Sequence, residues 1–157
     1  MSKTTTSART SKGRRPSSRP GVKPARTNAN DRMDWQGLDA LTDEEVIARA
    51  KRYYETNYGV TVVASESLAA TDSYSIGKMD AGMAQAAFSR IDRPDIDALV
   101  VPGGNFPTMD WIAPWERQFG KPVITTNQAA LWAVLRAMGI SKSLPNRGRL
   151  LAQMPAG

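Results

Sequence analysis

The chain has 157 residues, room for one small domain, with 21 Lys and Arg against 15 Asp and Glu, and neither cysteine nor histidine. Those absences exclude a disulfide framework, a thiolate zinc site, a cysteine nucleophile and the commonest general base. Residues 1–33 hold nine cations against Asp31 alone, a net of +8, so everything from Asp34 onward sums to −2, and the pI near 9.9 does not mark the body as a nucleic-acid binder.

From Ser2 to Asn30 the sequence is mostly Ser, Thr, Arg, Lys and Pro, and Pro16, Pro20 and Pro24 break any helix. Residues 1–33 are predicted to be a disordered basic tail. Three readings of it compete: an arm for nucleic acid or another anionic surface, a transit peptide, or a fortuitous extension. The prolines argue against the amphipathic helix of a transit peptide, and like-charge blocks are most often solvated tails. Nucleic acid enters only through this tail. No apolar run is long enough to span a bilayer and no hydrophobic signal core is present, so a soluble cytoplasmic protein is expected.

Order is predicted to begin at Leu41. Thr42 with Glu45 forms a capping box, Leu41 with Val46 the matching staple, and Val46, Ile47, Ala50, Tyr53 and Tyr54 follow helical spacing until Asn57–Gly59 stop it. Val60–Ala64 is a β-branched run fit for a buried strand. After a polar connection, Asp80 caps a helix whose stripe is Met83, Ala84, Ala87, Phe88 and Ile91. Ala98–Val101 is the second strand and runs into Pro102, Gly103, Gly104 and Asn105. Thr108–Phe119 has a helical pattern with Pro114 predicting a kink or two pieces. Val123–Thr126 is the third strand, and from Asn127 a helix carries Ala130, Leu131, Val134, Leu135 and Met138 to Gly139. Residues 141–157 read as a frayed tail.

This alternation specifies an α/β fold over residues 41–140: a short parallel sheet with helices on both faces. Three strands leave both edges open, and the helices bearing Trp111, Trp115 and Trp132 carry more apolar surface than so short a sheet covers. A partner is expected, either a second copy in a homo-oligomer or a missing half.

In such a sheet the ligand sits beyond the strand carboxyl ends. Three segments qualify: Ser65–Ser67, Pro102–Asn105, and Thr125–Gln128. Gly103 and Gly104 leave backbone N–H groups unshielded near a helix start, a setting that suits a carboxylate or phosphate, although a Gly-Gly turn is also an ordinary tight connection. Thr126 and Asn127 read first as an N-cap and second as ligand contacts. Asp72 and Asp80 have no spacing that defines an acid–base pair, and no metal-ligand cluster is present.

Together these segments resemble the second half of the aspartate/glutamate racemase superfamily, in its maleate cis-trans isomerase and arylmalonate decarboxylase branch. The resemblance lies in Thr71–Asp80, in Asp97–Val101 with Asn105–Thr108, and in Gly120–Trp132. It implies one half of a two-half racemase-like fold and chemistry at the carbon next to a carboxylate, without metal or cofactor. It also implies a cleft for small dicarboxylates. The family's cysteine position falls on Gly103, which cannot act as nucleophile or proton donor. What the resemblance leaves is half of a carboxylate cradle, Gly103, Gly104 and Asn105 at one strand end and Thr126, Asn127 and Gln128 at the next, with no catalytic residue identified. Two functions follow as expectations: an isomerase- or decarboxylase-like protein represented by an incomplete, inactive chain, or a non-catalytic carboxylate-binding or scaffold domain with a basic contact arm.

Overall fold

Thr42 starts the first helix as its spacing predicts. Its Oγ1 accepts the Glu45 N–H at 3.3 Å while the Glu45 carboxylate accepts the Thr42 N–H at 2.8 Å, and the computed structural model, which describes residues 4–9 and 41–154, carries the helix over Asp43–Tyr58 (α1) to Gly59 at φ 63°. The β-branched run then gives strand β2 (Thr61–Ser67). The connection read as merely polar contains a short helix, α2 (Ser73–Gly77), capped by Asp72. Asp80 caps α3 (Ala81–Ile91) by accepting the Met83 N–H at 3.1 Å. The stripe that α3 buries is Ala81, Ala84, Ala87, Phe88 and Ile91. Met83, expected in it, is exposed because its position lies one residue off that face.

Strand β3 (Ala98–Val101) leads through the glycine turn to α4 (Ile112–Phe119). Pro114 does not kink α4, because it falls in the first turn, where its missing N–H has no intrahelical partner to lose. Strand β4 (Val123–Thr125) passes directly into α5 (Thr126–Ala137). Phe88 packs edge-on to Trp115 and Phe119, with ring centroids 5.4 and 5.7 Å apart, and joins Leu99, Val101, Ile112 and Val123 in the core between sheet and helices.

Among the described residues the sheet has four strands, not three. Thr4–Arg9 form β1, and the order is β2-β1-β3-β4. β1 runs antiparallel to both β2 and β3, and β3 runs parallel to β4, so the three strands read from the body all point one way. The helical crossover from β2 to β3 skips one place, and backbone groups in the middle of a sheet require partners, which β1 provides. The tail expected to be disordered over residues 1–33 is therefore a strand at Thr4–Arg9. The rest of that span lies outside the described residues.

Residues 141–154 are not frayed either, and 155–157 lie outside the described residues. Leu151 on α6 (Arg149–Ala152) is fully buried, Leu144 N–H donates to the Leu151 carbonyl at 2.9 Å, and Ser143 Oγ donates to the Ala152 carbonyl at 2.8 Å. Among the described residues no helix is long and apolar enough to cross a membrane.

Candidate functional site

Of the three segments expected at strand ends, the first is not there. Ser65, Glu66 and Ser67 are still strand residues. Glu66 pairs with Arg90 from α3, and Ser67 Oγ donates to Asp43 at 2.9 Å, so both side chains serve to hold helices to the edge strand.

The other two segments do meet. A Cβ on Gly104 would lie 3.9 Å from Asn127 Oδ1 and 3.9 Å from Thr126 Cγ2, so the turn after β3 faces the first turn of α5 across one van der Waals contact. Thr126 Oγ1 reaches back to the Val101 carbonyl at 3.5 Å, linking the end of β3 to the helix start. On the far side of the turn, a Cβ at Gly77 would stand 3.9 Å from the Asn105 carbonyl oxygen, which brings the end of α2 against it. Gly103 is buried and Asn105 exposed, with Gly104 between them in burial as in sequence. Neither glycine is among those with positive φ, so the turn does not require them for a left-handed backbone.

The cap of α5 is Thr125, not Thr126 or Asn127. Thr125 Oγ1 accepts the Gln128 N–H at 3.4 Å. This shifts the helix start one residue and releases the next two side chains from capping. Exposed Thr126 and half-buried Asn127 stand in the first turn, where backbone N–H groups have no intrahelical acceptor and the helix dipole favours an anion. Gln128, read with them as part of a cradle, faces the other way. It is fully buried and its Nε2 donates to the Arg147 carbonyl at 2.9 Å.

Sequence reasoning missed the bracket behind this site. Glu116, 5% exposed, accepts the Val123 N–H through Oε1 at 3.1 Å and the Arg149 N–H through Oε2 at 2.8 Å, fixing α4 to β4 and to the C-terminal turn. Arg147 is ion-paired with Asp110. The apolar pair Leu150-Leu151 behind a glycine was the one sequence signal for this packing. A cleft of about 260 Å³ between α4 and this turn, bounded by Arg117, Asn146 and Gln153 among others, shares no residue with the strand-end site.

At Asp72, which caps α2 beside the Asn105 turn, the Ser75 N–H donated at 2.7 Å holds the carboxyl below its usual value. No comparable shift marks a proton-transfer group at the five cradle positions, whose side chains carry no ionisable group.

Helices over a sheet whose β2, β3 and β4 share one direction, with the turn after β3 meeting the first turn of α5 where two neighbouring strands end, define an α/β protein with a candidate site at its strand ends. The family model for arylmalonate decarboxylase matches residues 38–151, and the chain belongs to that family. It is 30% identical over 111 residues to a maleate isomerase of Nocardia farcinica, a match that covers 70% of this chain and 42% of that protein. Among solved structures, the Nocardia farcinica maleate cis-trans isomerase bound to TRIS superimposes with a TM-score of 0.64 at 26% identity over 70% of this chain and 45% of its own. A cysteine-to-serine mutant of that enzyme, with a covalently bound succinylcysteine intermediate, gives 0.62 at 26% identity over 68% and 45%. The maleate isomerase Iso of Pseudomonas putida shares the fold, with a TM-score of 0.61 at 22% identity over 73% and 46%. The chain thus spans less than half the length of each of these relatives.

Proposed function

We propose that this chain binds small dicarboxylates at the end of β3 and the start of α5 and does not turn them over by itself. The observation that carries this reading is the approach of Gly104 to Thr126 and Asn127, which sets the glycine turn beside a carboxamide and a helix N-terminus, with the Thr126 methyl toward Gly104 and its hydroxyl turned to the Val101 carbonyl. In this reading Gly103, Gly104 and Asn105 offer backbone N–H groups and a carboxamide to one carboxylate, and Thr126 and Asn127 orient it. No metal or cofactor is called for by this set.

Turnover at a carbon next to a carboxylate requires a group that takes a proton or adds to a double bond. The relative in Nocardia farcinica forms a succinyl adduct on a cysteine. This chain has no cysteine and no histidine, which favours binding without chemistry. The shared family and the coverage of less than half of each relative favour a second role, in which the cradle is completed by another α/β half or by a second copy of the chain and acts in isomerisation or decarboxylation. The exposed apolar residues Leu131 and Val134 on α5 and Met138 just after it, with Trp111, are the surface such a partner would cover.

The test is a titration with malonate, maleate and succinate, followed by backbone amide shifts. Millimolar dissociation constants with the largest shifts at Gly104, Asn105 and Thr126 are expected, since a few exposed hydrogen bonds contribute roughly 1 kcal/mol each. No exchange of the α-proton of malonate or succinate in deuterated buffer above the protein-free rate is expected. Exchange that disappears in Asn105→Ala would show a catalytic turn instead.

A further inference from the structure

The centre of the sheet is filled by β1, which reads Thr-Thr-Thr-Ser-Ala-Arg, with Ala8 its one apolar residue. At the position opposite fully buried Leu99, which itself pairs with fully buried Val123, β1 carries Ser7. Its pairing with β2 slips between Ser7 and Ala8, leaving one residue of β2 unmatched, and its pairing with β3 extends over only three residues, Thr6 to Ala8. β2 is held to the body by α3 as well as by β1: Val63 and Ala64 pack against the cluster that contains Ala84 and Phe88, and Glu66 pairs with Arg90. β1 itself is separated from α1 by 33 residues.

We propose that the gap between β2 and β3 is a strand-acceptor site, with Thr4–Arg9 as its exchangeable occupant. The partner it fits is an extended protein segment of about six residues with β-branched apolar side chains at the positions opposite Leu99 and Val101. Main-chain hydrogen bonds to both neighbours supply the affinity, and the row formed by Val123, Leu99 and Ala64 supplies the selectivity for apolar residues. Insertion of such a segment displaces β1 without disturbing the β3–β4 pair or the strand-end cradle, so the site stands independently of the dicarboxylate reading.

The experiment uses the full chain and a fluorescein-labelled peptide, Lys-Val-Thr-Val-Val-Val-Thr-Lys, with a control in which the central valine is proline. Anisotropy is expected to give micromolar binding to the wild type and binding about tenfold tighter to the Thr5→Pro, Ser7→Pro double variant, because prolines remove ladder donors from the competing strand. In Ser7→Val, where the resident strand is improved, the peptide is expected to bind severalfold more weakly, and this variant reports even if the double variant does not fold. The proline peptide binds none of them. Amide exchange is expected to slow at Val62–Glu66 and at Ala98–Val100 on peptide addition. Equal affinity for all three proteins, no binding, or protection confined to the outer edge of β2 or β4 would overturn the proposal.

Discussion

Glu116 and Arg149 are joined by a part-buried hydrogen bond, the Arg149 N–H donating to Glu116 Oε2 at 2.8 Å, and the other carboxylate oxygen takes the buried Val123 N–H at 3.1 Å. One side chain therefore closes α4, β4 and the C-terminal turn into a unit. Glu116→Ala leaves one buried and one part-buried amide without an acceptor and is expected to cost about 1–3 kcal/mol, read as a lowered midpoint in urea. Glu116→Gln keeps one acceptor oxygen and is expected to cost less. Equal, negligible losses would show the contact to be dispensable.

Gly148 is the position where the backbone permits no side chain. Its φ of 84° with ψ of 162° lies in a region used almost exclusively by glycine, and a Cβ there would collide with Ile112 Cγ2 and Gln128 Nε2. Gly148→Ala is expected to lower Tm by roughly 10 °C or more, since strain and overpacking of about 1–3 kcal/mol each add. Gly104→Ala, with ordinary 3.9 Å contacts and no positive φ, is expected to leave Tm within a few degrees of wild type while weakening dicarboxylate binding.

Asp72 gives a pH dependence whose sign is fixed by its cap. The Ser75 N–H holds the folded-state pKa below the unfolded one. Its contribution to stability is then complete above the unfolded carboxylate value of about 4 and is lost as pH falls through the lower folded value. Tm of wild type minus Tm of Asp72→Ala is expected to be positive and level from pH 7 to 5 and to shrink toward pH 2. A difference that grows on acidification would reverse the assignment.

What the sequence made legible was local. Thr42 with Glu45, Asp80 with Met83, and the stripe Ala84, Ala87, Phe88 and Ile91 each follow from spacing within one or two turns, and each forms. The meeting of the glycine turn with Thr126 and Asn127 followed from the rule that ligand groups gather where parallel strands end. Three features were not legible because their partners are remote in sequence. β1 pairs with residues more than fifty positions away and lacks the apolar pattern of a central strand, with only its threonine run as a β-branched signal. Glu116 is indistinguishable from a surface helix glutamate until Arg149 arrives 33 residues later. The cap read at Thr126 and Asn127 falls on Thr125, because the β4 ladder ends at the pair of Val101 with Thr125 and the helix begins at the next residue.

The absence of cysteine makes the cradle directly testable by adding one. Gly103→Cys introduces the only thiol of the chain at a buried strand-end position next to Gly104. If the turn amides and the α5 N-terminus attract anions, iodoacetate is held where its carboxylate meets them and its reactive carbon meets the thiol, whereas neutral iodoacetamide gains nothing. Free cysteine in solution provides the intrinsic ratio of the two rates. The ratio of iodoacetate to iodoacetamide alkylation in Gly103→Cys is expected to exceed it by about fivefold, equivalent to roughly 1 kcal/mol of anion preference. The excess is expected to fall when Asn127→Ala is added and to be suppressed by millimolar malonate, with a thermal melt verifying that both variants remain folded. A ratio equal to that of free cysteine, in folded protein, would show that these residues do not form a carboxylate site and that the approach of Gly104 to Asn127 is packing alone.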